Sequence, residues 1–314
     1  PAGVTSTENK GWKNLNDYVR DLQDQALGSL GWVNFNDLVR FEYTPAMAMT
    51  VDENELGQLL DTSAVTQVYE DTMYRPSLSR SGKLIGLSNA QMPNHNGKGV
   101  AVAVLDTGID GNHPFLSGKV VAEACFGKNG RGRGSVFKSS CRSNKERDVG
   151  PGSARPCQGV QGCDHGTHVA GIVAGSGDEF TGVAAAAKIV AVQVFNVVEG
   201  QVCGKADKCI INFSSDVIRA LEWIYRNRKK HRIAVVNLSL GSGRFTERCD
   251  RSPMRRIFAL LRQVGIIAVA ASGNSGFKNS ISSPACLTDV VSVGATTYSD
   301  AVAKFSNSTA HLDF

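Results

Sequence analysis

From residue 99 onward the chain alternates short apolar runs with amphipathic segments. The apolar runs are rich in Val, Ile and Ala and predict strands, at 100–105, 189–195, 234–240, 266–271 and 290–293. Apolar residues at helical spacing predict the helices between them, at 165–174, 216–228 and 253–264. Such alternation is typical of a parallel sheet with helices on both faces. We therefore predict an α/β domain over residues 75–314.

The N-terminal part of the chain follows a different pattern. Its apolar spacing predicts two helices and three strands, the helices at 17–27 and 53–60 and the strands at 38–43, 46–51 and 65–69. These elements predict a small α+β domain over residues 1–74. Residues 73–98 are rich in Pro, Ser, Asn and Gly, and this composition predicts an irregular connector.

Composition and charge favour a globular protein. With 314 residues, 42% apolar and 20% charged, the chain is long enough to bury a sizeable core. The net charge of +5 comes largely from short clusters at 128–133, 142–147 and 226–232, which we interpret as solvated surface. We therefore expect no nucleic-acid partner.

No run reaches the roughly 18 apolar residues of a membrane span. The chain starts at Pro1 without a signal peptide, so we expect a longer precursor.

All eight cysteines lie after residue 124, and an even number predicts disulfides and an exported protein. They are Cys125, Cys141, Cys157, Cys163, Cys203, Cys209, Cys249 and Cys286. The pairs Cys157/Cys163 and Cys203/Cys209 each enclose five residues, which fits local disulfide loops better than the C-x-x-C spacing of zinc sites. Spacing alone leaves the connectivity open.

Three polar motifs follow predicted strands. Asp106 follows the strand at 100–105, Ser239-Leu240-Gly241 closes the strand at 234–240, and Ala271-Ser272-Gly273-Asn274 closes the strand at 266–271. In parallel sheets the ligand cleft lies beyond the carboxyl ends of the strands. We therefore expect these motifs to lie along one edge, close to His165 at the start of a helix.

The residue types at this edge suit acyl-transfer chemistry. A carboxylate behind an imidazole fixes its tautomer and stabilises the imidazolium, roles that Asp106 and His165 can fill. The Asn274 amide can donate to a developing oxyanion. Turn formation alone accounts for Asp106 or Asn274, but it does not account for His165. His165 and His168 are spaced like metal ligands but lack the Glu of H-E-x-x-H, so we expect no metal and a core-facing His168.

The segments DTGIDGNHP, HGTHVAG, NLSLG, ASGN and SSPA resemble the subtilisin-like serine proteases, the peptidase S8 family, over residues 75–314. The resemblance implies the subtilisin-like α/β fold, with Asp106 and His165 as triad members and Asn274 in the oxyanion hole. The family's nucleophile is a serine in a GTSMA-type motif, which follows a segment similar to Phe305-Ser306-Asn307. We therefore expect a secreted serine endopeptidase in zymogen form whose serine lies beyond this chain, so that the chain alone is inactive.

Two other classes compete with this hypothesis. One is a non-catalytic pseudo-subtilase that binds peptides through the cleft edges. The other is a nucleotide-binding α/β domain, which is disfavoured because no Gly-rich loop follows the strand at 100–105.

Residues 1–74 resemble the inhibitory, ferredoxin-like prodomain of the same family, most clearly at 40–43 and 65–71. The resemblance implies an intramolecular chaperone and inhibitor, with maturation cleavage near Tyr74-Arg75. It also implies polypeptide substrates that pair with six backbone positions, Ser239, Leu240, Gly241, Ala271, Ser272 and Gly273. Phe115 stands where a calcium-ligand Asp often lies, and the 175–180 loop is short, so we predict no cofactor. Other oxygen ligands for calcium remain open, for example Asp178, Glu179 and Asp207.

Overall fold

A computed structural model describes residues 15–30, 37–71, 73–76, 95–177, 181–297 and 299–314. The chain divides into two compact units, Pro1–Glu70 and Asp71–Phe314. Within the described parts of the chain, no helix combines the length and apolar character needed to cross a bilayer.

In the described residues of the first unit, 15–30 and 37–70, there are two helices and one short antiparallel hairpin. Its elements are α1 (Leu15–Gly28), β1 (Val39–Arg40), β2 (Met47–Ala48) and α2 (Glu53–Asp61). Gln23 of α1 is buried and its amide donates to the carbonyl oxygens of Phe41 and Ala46, at 2.8 and 2.9 Å, so the helix holds both arms of the hairpin. A capping box between Asp52 and Glu55 begins α2.

The strand predicted at 65–69 is wrong, because these residues form no strand. Val65 and Val68 are half-buried and Tyr69 is 42% exposed, so the apolar positions do not alternate as on a sheet face. The two predicted helices are confirmed. The predicted strands at 38–43 and 46–51 shorten to two residues each.

The second unit begins with strand β3 (Met73–Pro76). The other strands up to the first helix are β4 (Ala101–Asp106), β5 (Val120–Phe126), β6 (Gly130–Gly132), β7 (Ser135–Ser139) and β8 (Arg147–Val149). Then come α3 (His165–Ala174), β9 (Lys188–Gln193), β10 (Asn196–Gly200), β11 (Lys208–Phe213), α4 (Ser214–His231) and β12 (Ile233–Leu238). The last elements are β13 (Leu240–Phe245), α5 (Arg255–Gln263), β14 (Ile267–Ala271), β15 (Ile281–Ser283) and β16 (Val290–Val293).

One seven-stranded sheet has the order β16-β14-β12-β4-β9-β5-β8. Its pairs are parallel except the antiparallel pair of β5 with β8. Every residue of β4 is buried, α3 packs against β4, α4 packs against β5 and β12, and α5 packs against β14. The α/β fold with a mostly parallel sheet is therefore confirmed.

A second seven-stranded sheet has the order β15-β13-β3-β11-β10-β7-β6, with antiparallel pairs. Its strand β3 lies in the segment predicted as an irregular connector, so that prediction is wrong for residues 73–76. The partners of β3 are the distant strands β11 and β13, and local composition carries no signal of such long-range pairing. The rest of the predicted connector, at 77–94, lies outside the described residues.

All eight cysteines form disulfides, as predicted. The pairs are Cys125–Cys141, Cys157–Cys163, Cys203–Cys209 and Cys249–Cys286. Two of them are the local loops that the spacing favours. Cys249–Cys286 closes the longest loop, with a sequence separation of 37.

The loop lengths lead to a stability prediction. In the chain-entropy model, the disulfide Cys249–Cys286 contributes about 4 kcal/mol and the shorter Cys203–Cys209 loop about 2 kcal/mol. We expect the Cys249→Ala/Cys286→Ala variant to lose more stability than Cys203→Ala/Cys209→Ala, measured by denaturant unfolding of the oxidised chain. Equal losses, or the reverse order, would contradict loop closure as the source of the difference.

Candidate active site

Asp106 and His165 meet where a strand ends and a helix begins. Asp106 is the last residue of β4 and His165 is the first residue of α3. His165 Nδ1 lies 2.7 Å from Asp106 Oδ1, and the two side chains are 1% and 0% exposed. A hydrogen-bonded carboxylate and imidazole are thus brought together out of contact with water.

The orientation of this pair determines its chemistry. Asp106 Oδ1 also accepts a hydrogen bond of 2.7 Å from the Thr107 backbone N–H, whereas the buried Oδ2 has no partner among the described residues. An ionised carboxylate only accepts hydrogen bonds, so His165 Nδ1 carries the donated proton. In a neutral ring with that tautomer, Nε2 is the nitrogen that accepts a proton from a nucleophile.

Thr107 joins the end of β4 to the start of α3. Its buried hydroxyl donates to the Cys163 carbonyl oxygen and accepts from the Gly166 N–H, both at 3.0 Å. Its backbone oxygen accepts from the Cys157 N–H at 3.2 Å. The hydroxyl therefore holds the chain on both sides of His165, and it satisfies one of the free N–H groups at the helix start. Sequence reasoning missed this role, for which the position after Asp106 is the only available signal.

Glycine allows the helix to approach this closely. A Cβ on Gly166 would lie 2.3 Å from the Gly108 carbonyl oxygen and 2.9 Å from Asp106 Cβ. Gly108 has φ +100°, and a Cβ there would lie 2.3 Å from the Arg155 carbonyl oxygen. Any side chain at position 166 would therefore push His165 away from Asp106.

The remaining predicted site residues follow neighbouring strands. Strands β4, β12 and β14 are adjacent and parallel, so their carboxyl ends share one edge; Asp106 ends β4 there, and Ser239 and Ser272 follow β12 and β14. Leu240 and Gly241 open β13, Ala271 ends β14, and Gly273 and the exposed Asn274 continue into the next loop. In the second sheet, Leu240 pairs with Pro76 and Gly241 pairs with Arg75.

The predicted core orientation of His168 is wrong, because His168 is exposed. The buried face of α3 is lined by His165, Gly166, Val169 and Ala170, and position 168 points away from that face. No group of three or more His, Cys, Asp or Glu side chains suited to a metal ion occurs among the described residues. Asp178 and Glu179 lie outside the described residues, and Asp207 is exposed. The Phe115 ring packs against Gly171 and Gly175 of the α3 segment.

A buried Asp–His pair at the carboxyl edge of a mostly parallel sheet can orient an imidazole to take a proton from a nucleophile. The chain belongs to the subtilase family, Peptidase S8, whose model matches residues 97–314. This confirms the resemblance that the sequence motifs indicate.

Alignments with relatives cover both units of this chain. Subtilisin E of Bacillus subtilis (strain 168) is 29% identical over 99% of this chain and 72% of its own length. The extracellular serine proteinase of Thermus sp. (strain Rt41A) is 30% identical over 91% of this chain and 61% of its own length.

A solved structure supports the fold. A protease of Pseudoalteromonas arctica PAMC 21717 has a TM-score of 0.52 and 24% sequence identity. The match covers 70% of this chain and 63% of that structure, so the present chain spans less than two thirds of it.

The Thr107 contacts lead to a second prediction. Thr107→Val keeps the shape but leaves the Gly166 N–H and the Cys163 carbonyl without their partner, a cost of about 1–3 kcal/mol. We expect lower stability in denaturant unfolding and faster hydrogen exchange at the Gly166 amide. Thr107→Ser is the matched control and keeps both hydrogen bonds. If Thr107→Val left the Gly166 exchange rate unchanged, the hydroxyl would not be what holds α3 against β4.

Proposed function

We propose that this protein is a secreted serine endopeptidase that hydrolyses peptide bonds through an Asp-His-Ser triad. The observation that carries the proposal is the buried 2.7 Å contact between Asp106 and His165 in a subtilase-family chain. Four disulfides and the extracellular Thermus relative support secretion, because disulfides persist in oxidising compartments.

In this mechanism, His165 acts as general base and then as general acid. Its Nε2 takes the proton of a serine hydroxyl as the serine oxygen bonds to the substrate carbonyl carbon. Asp106 stabilises the imidazolium, and the Asn274 amide donates to the oxyanion. His165 then protonates the leaving amine, and water releases the acyl group by the same steps. We propose that the serine follows residue 314 in the complete protein, as the family resemblance implies.

Peptide binding is proposed for two backbone edges, residues 212–213 of β11 and residues 240–241 of β13. Both edges pair with β3 in this chain. Main-chain pairing to an extended peptide gives affinity with little demand on its sequence. The proposed substrates are therefore polypeptides, which bind where β3 lies.

We propose that residues 1–74 are an inhibitory prodomain, and that its last residues, continued by Arg75-Pro76 in strand β3, block these two edges before cleavage. The preceding Asp71 anchors the segment at the start of α4. Its carboxylate accepts from Ser214 Oγ at 2.6 Å, from Ser215 N at 2.9 Å and from Ser215 Oγ. A negative charge is favourable at a helix N-terminus. The proposed maturation site at Tyr74-Arg75 lies within β3, so cleavage would cut the blocking strand itself.

The triad proposal is tested by substitution in the complete protein. Asp106→Asn is expected to lower kcat by about 10⁴, because His165 would then present the wrong tautomer. His165→Ala is expected to abolish turnover of a peptide substrate. His168→Ala, on the exposed face of the same helix, is the matched control and should keep full activity. The 314-residue chain alone is expected to show no turnover. Asp106→Asn with wild-type kcat would contradict the assignment.

The prodomain proposal is tested by the rate at which activity appears. Asp71→Ala removes charged hydrogen bonds worth about 1.5–3 kcal/mol that hold the inhibitory segment. Peptide hydrolysis by the complete protein should therefore begin about 10- to 100-fold sooner. The measurement is the time course of peptide hydrolysis after folding. Asp61→Ala, an exposed carboxylate at the end of α2, is the control and should leave the time course unchanged. An Asp71→Ala time course identical to wild type would refute the anchoring role.

A further inference from the structure

We propose that Asn307 is a positioning residue that holds the loop at 272–277 and thereby keeps Asn274 at the cleft. This inference rests on the proposed function, in which Asn274 donates to the oxyanion. Asn307 follows the segment Phe305-Ser306 and is fully buried, with 0% of its surface exposed. Asn274 is exposed.

The Asn307 side chain makes four hydrogen bonds, which equal the two donors and two acceptor lone pairs of a primary amide. Its Oδ1 accepts from the backbone N–H groups of Ser275 and Phe277, at 3.0 and 3.1 Å. Its Nδ2 donates to the Ser272 carbonyl oxygen at 3.0 Å and to Ser282 Oγ at 3.3 Å. The two backbone donors on Oδ1 fix which end of the amide is oxygen.

The hydrogen bonds of Asn307 reach residues that precede and follow Asn274 in the chain. The Asn307 backbone adds a hydrogen bond of 2.9 Å from its N–H to the Gly273 oxygen, and Ser272 Oγ donates to the Asn307 oxygen at 2.8 Å. The residues before and after Asn274 are therefore tied to one buried residue. Both chain neighbours of Asn274 are thus hydrogen-bonded to Asn307, whereas Asn274 itself is exposed.

Two glycines let the loop wrap around Asn307. Gly273 has φ +108°, and a Cβ there would lie 2.3 Å from Asn307 Nδ2. Gly276 has φ +69°, and its N–H donates to the Phe305 oxygen at 2.7 Å. Both φ values are in the region that favours glycine. The loop and the 305–307 segment are thus fitted to each other at atomic contact distance.

Asparagine is the residue type that this position demands. Aspartate keeps the acceptor for Ser275 and Phe277 but loses the donors, and it places negative charge beside the Ser272 carbonyl. Alanine loses all four side-chain hydrogen bonds. An oxyanion donor acts through preorganisation, so a loosened loop weakens binding of the transition state more than binding of the substrate. The loss is therefore expected in kcat, with KM little changed.

The kinetic test uses the complete protein and four variants. Asn274→Ala is expected to lower kcat by about 10²–10³. Asn307→Ala is expected to lower kcat by about 10- to 100-fold with KM unchanged, and Asn307→Asp to fall between it and wild type. The double variant Asn274→Ala/Asn307→Ala should match Asn274→Ala, because Asn307 acts through Asn274. Wild-type kcat in Asn307→Ala, or losses that multiply in the double variant, would overturn the inference.

Ser292→Ala is the matched control for general destabilisation. Ser292 is a buried polar residue of β16 whose hydroxyl donates to Asp313 Oδ2 at 2.7 Å and accepts from Asp313 N at 3.0 Å. Its loss should lower the unfolding midpoint without changing kcat. A fall in kcat in Ser292→Ala as large as in Asn307→Ala would attribute the Asn307 effect to stability and overturn the inference.

Hydrogen exchange tests the anchoring in the 314-residue chain, without activity. We expect the Ser275 and Phe277 amides to exchange faster in Asn307→Ala but to stay protected in Asn307→Asp, which retains the acceptor oxygen. Unchanged exchange in Asn307→Ala would overturn the inference whatever the kinetics. Absence of His165-dependent activity in the wild-type complete protein would instead reject the proposed function, and the catalytic part of this inference with it.

Discussion

The close approach between the end of β4 and the start of α3 is the constraint on which the site depends. Gly166 contacts the backbone at Gly108 and the Cβ of Asp106 so closely that no side chain fits there. At this separation the Thr107 hydroxyl reaches both Cys163 and the Gly166 N–H. The Asp106–His165 hydrogen bond follows from the same packing. Its geometry is set by backbone contacts and not by the two side chains alone.

The two sheets position different parts of the site. The parallel sheet places Asp106 at the end of a fully buried strand. The antiparallel sheet presents backbone edges on either side of β3. Two buried polar side chains join neighbouring segments: Thr107 ties the start of α3 to the end of β4, and Asn307 ties the loop at 272–277 to the segment at 305–307. Each does so by satisfying backbone groups that burial would otherwise leave unpaired.

Local sequence pattern predicted the elements whose cause is local. The apolar runs and helical spacing identified β4, β9, β12, β14, β16 and α3 to α5, and the cysteine count indicated disulfides, but the parallel strand β5 was not predicted. The pattern failed for elements whose formation depends on tertiary partners. Residues 65–69 have strand-forming side chains but pair with no strand in the described part of the chain, whereas Met73–Pro76 has a weak pattern and two partners. His168 was misplaced because one small-residue helix offers little contrast between its faces. The contacts of Thr107 and Asn307 depend on distant backbone, so no periodicity records them.

Strand β3 has one more consequence. Among the strands of the described residues, it alone joins the pair β15-β13 to the group β11-β10-β7-β6. The antiparallel sheet is therefore continuous only with a four-residue segment in place, and losing that segment leaves two smaller sheets with facing open edges. In the proposed binding mode, a peptide in this position would restore the continuous sheet, and its affinity would increase with the number of backbone hydrogen bonds that it makes to both edges. A peptide too short to reach both edges would pair with only one of them and would leave the sheet divided, whatever its side chains.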